Sequence, residues 1–130
     1  ARELGATHFV NSRDTKAVEA VANSFDFILS TVNADLDWGI YINALRPKGR
    51  LHFVGVVPNA IQMGAFPIIL GQKSLSGSLL GSPTTTAKML DFATRHGIEP
   101  VTETFDFSQV NEAIAHLEAG KARYRIVLKH

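Results

Sequence analysis

The run Phe25-Asp26-Phe27-Ile28-Leu29-Ser30-Thr31-Val32 is apolar and aromatic, closes on polar Asn33, and reads as a buried β-strand. A second run of the same kind, Leu51 to Val57, is apolar except at His52 and Gly55. That pattern predicts a parallel strand covered on both faces. Between the two, Asp35 to Leu45 places Leu36, Ile40 and Ala44 on one helical stripe, and Arg46-Pro47-Lys48-Gly49 reads as a turn. Strand, helix and parallel strand in that order form the unit from which α/β sheets are built.

The alternation continues outward from this unit. Upstream, His8 to Asn11 reads as a short strand and Asp14 to Ser24 as a helix with Ala17, Val18, Val21 and Ala22 on one face. Downstream, Ala65 to Leu70 reads as one or two helical turns stopped by Gly71, and Ser74 to Leu80 as a third long strand. Ser82-Pro83 is a helix start, with Ser as the cap and Pro in the first turn, and Gly97 with Pro100 ends that helix after Arg95 or His96. Thr102 to Phe107 reads as a strand, Ser108 as the cap of a helix ending at Gly120, and Arg123 to Leu128 as the closing strand. The predicted fold is α/β: a partial Rossmann-type, doubly wound parallel sheet with helices on both faces.

Composition narrows the function. The chain has 130 residues, 45% of them hydrophobic, enough for one domain with a core. Its 13 basic and 12 acidic residues leave a net charge of +1, which gives no electrostatic case for nucleic acid or an anionic membrane as partner. It has no cysteine, so thiolate nucleophiles and Cys-based zinc sites are excluded within it, and a reducing, cytoplasmic setting fits. No apolar run approaches the ~18 residues of a membrane span. Ala1-Arg2-Glu3-Leu4, capped by Gly5, is too short to nucleate a helix alone, so the chain reads as a piece of something longer.

Several motifs are missing. No two of the ten glycines are separated by a single residue, so there is no G-x-G-x-x-G turn. Gly120-Lys121 lacks the rest of a P-loop, and no pair among His8, His52, His96, His116 and His130 has metal-binding helical spacing. His52 reads as a hydrogen-bonded core histidine, with a proton relay as the functional alternative. His96 and His116 fall in C-terminal halves of helices, where they favour the dipole.

In doubly wound sheets ligands bind beyond the carboxyl ends of the strands. The three long strands end in Ser30-Thr31-Val32-Asn33, Val54-Gly55-Val56-Val57 and Gly77-Ser78-Leu79-Leu80-Gly81. These tips carry no acid or base. They suit a flat apolar ring bearing an amide, held by main-chain N–H and C=O, such as nicotinamide. Alternatively Gly55, Gly77 and Gly81 serve turns and packing. Lys121, Arg123 and Arg125 flank the last strand as a phosphate contact or a solvated basic edge.

Taken in order, several segments resemble the medium-chain dehydrogenase/reductase superfamily. They are Ala1-Arg2-Glu3-Leu4-Gly5-Ala6, Phe9-Val10-Asn11-Ser12, Phe25 to Val32, Leu45-Arg46-Pro47-Lys48-Gly49-Arg50, Val54-Gly55-Val56, Ser76 to Ser82, and Val110 to Leu128. The nearest group is the zinc-type alcohol dehydrogenases, in the branch of cinnamyl alcohol dehydrogenases and bacterial aldehyde reductases. The resemblance implies that residues 1–130 are the later part of a nucleotide-cofactor (Rossmann) domain without its first two strands. It implies NADP or NAD as cofactor, with NADP favoured, and an alcohol or aldehyde substrate. Zinc would be held in a separate catalytic domain, with none bound here.

The resemblance also assigns roles. Thr31 and Val32 fall on the adenosine and ribose side of the cofactor, and Val54, Gly55 and Val56 on the nicotinamide side. Main-chain groups of Ser78 and Leu80 would hold the carboxamide, Leu79 and Leu80 would line the ring, and Arg123 would meet a phosphate. It implies no catalytic residue in this stretch, a homodimer through the Ser74–Leu80 strand edge, and no turnover by the stretch alone. Residues 1–24, short of two neighbouring strands, would repack, swap or disorder. A zinc-free quinone or enoyl reductase of the same superfamily and a non-catalytic dimerisation module are the alternatives.

Overall fold

The computed structural model describes residues 1–130, which form two compact units, Ala1–Leu80 and Gly81–His130. In the first, β1 (Phe25–Ser30), β2 (Leu45–Phe53) and β3 (Ser74–Gly77) make a parallel sheet in the order β1-β2-β3. Helix α1 (Thr15–Glu19) precedes it, α2 (Trp38–Ala44) joins β1 to β2, and α3 (Phe66–Gly71) joins β2 to β3. The α/β, parallel, Rossmann-type reading therefore holds. The strands divide into two sheets rather than one, because β4 (Thr102–Asp106) pairs only with β5 (Arg125–Lys129), also in parallel. Helix α4 (Pro83–His96) opens the second unit, and α5 (Val110–Glu118) connects β4 to β5.

Local chemistry explains where most elements begin and end. Asp14 and Asp37 cap α1 and α2 by accepting from Ala17 N–H and Gly39 N–H. Ser82 caps α4 through Thr85 N–H, with Pro83 following, and Gly97 ends it in the left-handed conformation at φ 61°. The cap ahead of α5 is Asp106, in a reciprocal box with Gln109, rather than the expected Ser108. A short 3₁₀ turn, Phe107–Gln109, occupies the intervening residues.

The core of the first unit is Trp38, Ile42, Leu45 and Leu51, with Ile28, Phe53 and Ile68 packed against it. Trp38 meets the Phe53 ring edge-on at 4.9 Å. Ile28, Leu51 and Phe53 all lie on the same face of the sheet, because side chains alternate along a strand. The opposite face carries Phe25, Phe27 and Leu29, of which Phe27 is 54% exposed. The apolar run Leu51–Val57 is thus covered on one face only, and its ladder ends at Phe53.

Two local differences from the sequence reading have physical causes. His8 to Asn11 pairs with no strand, and a strand without a partner leaves its amides unmet. Instead Val10, Val18 and Val21 meet Phe25, Phe27 and Tyr41 around a cavity of about 280 Å³. Residues 46–49 turn as expected, yet inside β2. Phe25 aligns with Leu45 and Phe27 with Arg50, so four residues bulge out between two paired positions. Lys48 takes the left-handed conformation there, at φ 64°.

Candidate functional site

The ends of β1, β2 and β3 are tied together through their main chains. The Ser30 carbonyl accepts from both Val54 N–H, at 3.0 Å, and Gly55 N–H, at 3.2 Å. The Phe53 carbonyl accepts from Ser78 N–H at 3.1 Å. Thr31, Gly55 and Ser78 therefore sit on three adjacent strand tips at one edge of the sheet. Val32, Val54, Val56, Leu79 and Leu80 all stand exposed there, and Leu80 is 88% exposed. None of residues 30–33, 53–57 and 77–80 is charged.

Gly55 has a role that the sequence left open between ligand approach and packing. A β-carbon at this position would overlap the Val32 carbonyl oxygen and lie 2.6 Å from the Thr31 carbonyl carbon. The missing side chain is thus used by the protein's own main chain, which closes the β1 and β2 tips onto each other. Several peptide groups at the tips stay unused by the chain, among them the carbonyls of Val54 and Ser78, the N–H of Leu80 and both groups of Val56 and Leu79. The first three of these, two acceptors and one donor, are the complement of a primary amide, which offers two N–H and one C=O.

Sequence reasoning missed a side-chain bridge beneath these tips. His52 Nδ1 lies 2.8 Å from Ser76 Oγ, and Nε2 lies 3.0 Å from Ser78 Oγ. The Phe27 ring stacks near the imidazole at 6.2 Å. His52 is half-buried on the sheet's open face, and no core surrounds it. The signal was present, since Ser76 and Ser78 are two apart and share a strand face. What the sequence lacked was the register that puts Ser76 opposite His52.

Arg123 belongs to the second unit, in the segment leading into β5, where its backbone N–H donates to Glu103 Oε1. His96 lies against Phe92, with ring centroids 4.2 Å apart, and His116 pairs with Glu103. No three His, Asp or Glu side chains come together in a way that could hold a metal ion. With no cysteine either, the donor set of these residues does not fit a zinc site. No helix is long and apolar enough to cross a membrane.

The chain matches known proteins over nearly its whole length. Residues 1–95 match the family described as zinc-binding dehydrogenase. The chain is 55% identical over 128 residues to aldehyde reductase AdhA of a Synechocystis species, covering 98% of this chain and 38% of that protein. A solved cinnamyl alcohol dehydrogenase of Sorghum bicolor superposes with a TM-score of 0.88 at 35% identity, over 97% of this chain and 36% of that one. The CAD of Helicobacter pylori, solved in complex with NADP(H), superposes with a TM-score of 0.67 at 34% identity, over 80% of this chain and 31% of that one. The chain thus spans little more than a third of the length of the relatives it matches. It belongs to the zinc-binding dehydrogenase family, the group to which the strand tips and the ordered segments pointed.

Proposed function

We propose that this chain is the cofactor-cradling portion of an NADP(H)-linked alcohol dehydrogenase or aldehyde reductase. The carrying observation is the row of unused main-chain groups on adjoining uncharged tips, among which the resemblance singles out Val54 C=O, Ser78 C=O and Leu80 N–H. A carboxamide would donate to the two carbonyls and accept from the N–H, which fixes the face of its ring. Val56, Leu79 and Leu80 would cover the ring and exclude water. Thr31 and Val32 would meet the ribose and adenosine side, and Gly55 would hold the two tips in contact. The nicotinamide supplies hydride transfer, and this chain's residues bind and orient.

NADP is favoured over NAD, in line with the NADP(H) complex of the Helicobacter pylori relative. Zinc would be held outside these residues, whose donors do not suit it. The substrate is a small alcohol or aldehyde, as the name of the Synechocystis relative suggests. The cytoplasm is the assigned compartment. The β3 edge, which has one neighbour, is assigned to a homodimer contact. Residues 1–130 alone are expected to bind cofactor weakly and not to turn over.

The test is titration of the full-length protein with NADPH, followed by coenzyme fluorescence and by hydrogen exchange. Saturable binding is expected, with new protection that within residues 1–130 includes 31–33, 54–57 and 78–80. Absence of binding, or protection elsewhere only, overturns the proposal. Aldehyde reduction by the isolated 130-residue stretch would overturn the claim that it is inert.

A further inference from the structure

We propose that His52 is a positioning residue, an imidazole clip that sets the Ser78–Leu80 main chain for cofactor binding. The inference rests on the cofactor reading above and adds a residue to it. The β3 ladder ends at Gly77, opposite Phe53. Beyond it, a single backbone bond, from Ser78 N–H to Phe53 O, ties the tip to β2. Leu79 is 78% exposed and has no hydrogen bond within the chain. Left so, the two groups offered by Ser78 and Leu80 would be free to swing.

His52 supplies the missing restraint. Ser76 is its direct cross-strand neighbour, and Ser78 follows two residues on along the same face. One ring reaches both hydroxyls, at 2.8 and 3.0 Å, and so spans the last ladder position and the first residue beyond it. A neutral imidazole donates from one nitrogen and accepts at the other, and each serine hydroxyl takes the complementary role. Phe27 lies stacked nearby on the same face, with the ring centroids 6.2 Å apart. The Nδ1 partner is a serine rather than a carboxylate, so the cluster lacks the orienting acid of a nucleophile–base arrangement. Its chemistry is that of a brace.

The atoms involved make the test specific. The amide of Gln reaches about as far as imidazole Nε2, and the amide of Asn about as far as Nδ1. His52→Gln should therefore keep the Ser78 tie, and His52→Asn only the Ser76 tie. The full-length protein and its His52→Leu, His52→Gln, His52→Asn, Ser78→Ala and His52→Leu/Ser78→Ala variants are compared by NADPH fluorescence titration and by hydrogen exchange without cofactor.

His52→Leu, His52→Asn and Ser78→Ala should each weaken NADPH binding about 3- to 10-fold and speed amide exchange at residues 78–80, the size of one lost hydrogen bond. His52→Gln should restore most of both, and the double variant should be no worse than either single one. Rescue by Asn rather than Gln, additive losses, or faster exchange with unchanged affinity each overturn the clip. If the unaltered protein binds NADPH at the tips and His52→Leu binds it equally well, the clip alone falls. If the unaltered protein does not bind NADPH there, the cofactor reading falls and takes the clip with it.

Discussion

Glu103 on β4 holds His116 on α5, with Oε2 2.8 Å from Nε2, while its Oε1 accepts the backbone N–H of Arg123. One carboxylate therefore joins the strand, the helix and the segment leading into β5. Both side chains are about 70% shielded from solvent, where such bonds count for more than on an open surface. Glu103→Ala should destabilise the second unit by about 1–3 kcal/mol, since two donors lose their acceptor. Amide exchange at residues 123–125 should speed up, and Glu103→Gln should preserve part of the protection. Unchanged exchange in Glu103→Ala would refute this account.

Gly55→Ala puts a methyl group into the Val32 carbonyl, so the β1 and β2 tips must separate. The expected cost is about 1–3 kcal/mol, typical of overpacking. Thermal unfolding would show it as a lowered midpoint, and NADPH affinity should fall at the same time. A variant as stable as the parent would mean that the tips are not in contact.

Ile42, 1% exposed, is among the largest fully buried side chains of the core. Truncating it to Ala should cost about 2–5 kcal/mol through lost burial and the cavity left behind. Denaturant titration gives the value, read as a shifted midpoint at constant slope.

Lys73 donates from Nζ to the Ile42 carbonyl at 2.7 Å, and burial lowers its pKa from the ordinary 10.5. Between the lowered folded value and 10.5 the unfolded chain binds more protons than the folded one. Stability conferred by Lys73 should therefore rise with pH across that window and stay flat below it. Urea midpoints of the parent and of Lys73→Met, taken at neutral pH and near pH 10.5, should diverge in the parent's favour. A constant difference would count against the burial of this amine.

Ser82→Ala removes the acceptor of Thr85 N–H at the start of α4. A loss of about 1 kcal/mol is expected, the usual value of a cap. Ser82→Asp should retain it. Far-UV circular dichroism during unfolding distinguishes the two.

Helix α4 was legible from end to end, because Ser82, Pro83 and Gly97 act through bonds a few residues long. Likewise the alternation of elements and the three tips could be read from periodicity and strand order. What needed partners could not. His8 to Asn11 has strand composition but no neighbour, and Leu79 and Leu80 continue an apolar run after the ladder has stopped. His52 looked like a core residue because a nearly unbroken apolar run does not tell which face is covered. The Arg46–Gly49 turn was visible, but nothing local revealed that a strand lies on both sides of it.

That excursion within β2 decouples chain length from alignment. Pairing resumes at Arg50 whatever path residues 46–49 take, and the ion pair between Arg46 and Asp26 is exposed and contributes little. Gly49 is the fixed point, since a β-carbon there would come within 2.9 Å of the Arg46 carbonyl. Extra residues inserted after Pro47 would lengthen a solvent-facing arch and leave the Leu51 layer undisturbed. The arch is therefore the natural place to splice in a reporter peptide without disturbing the coenzyme cradle at the far end of the strand.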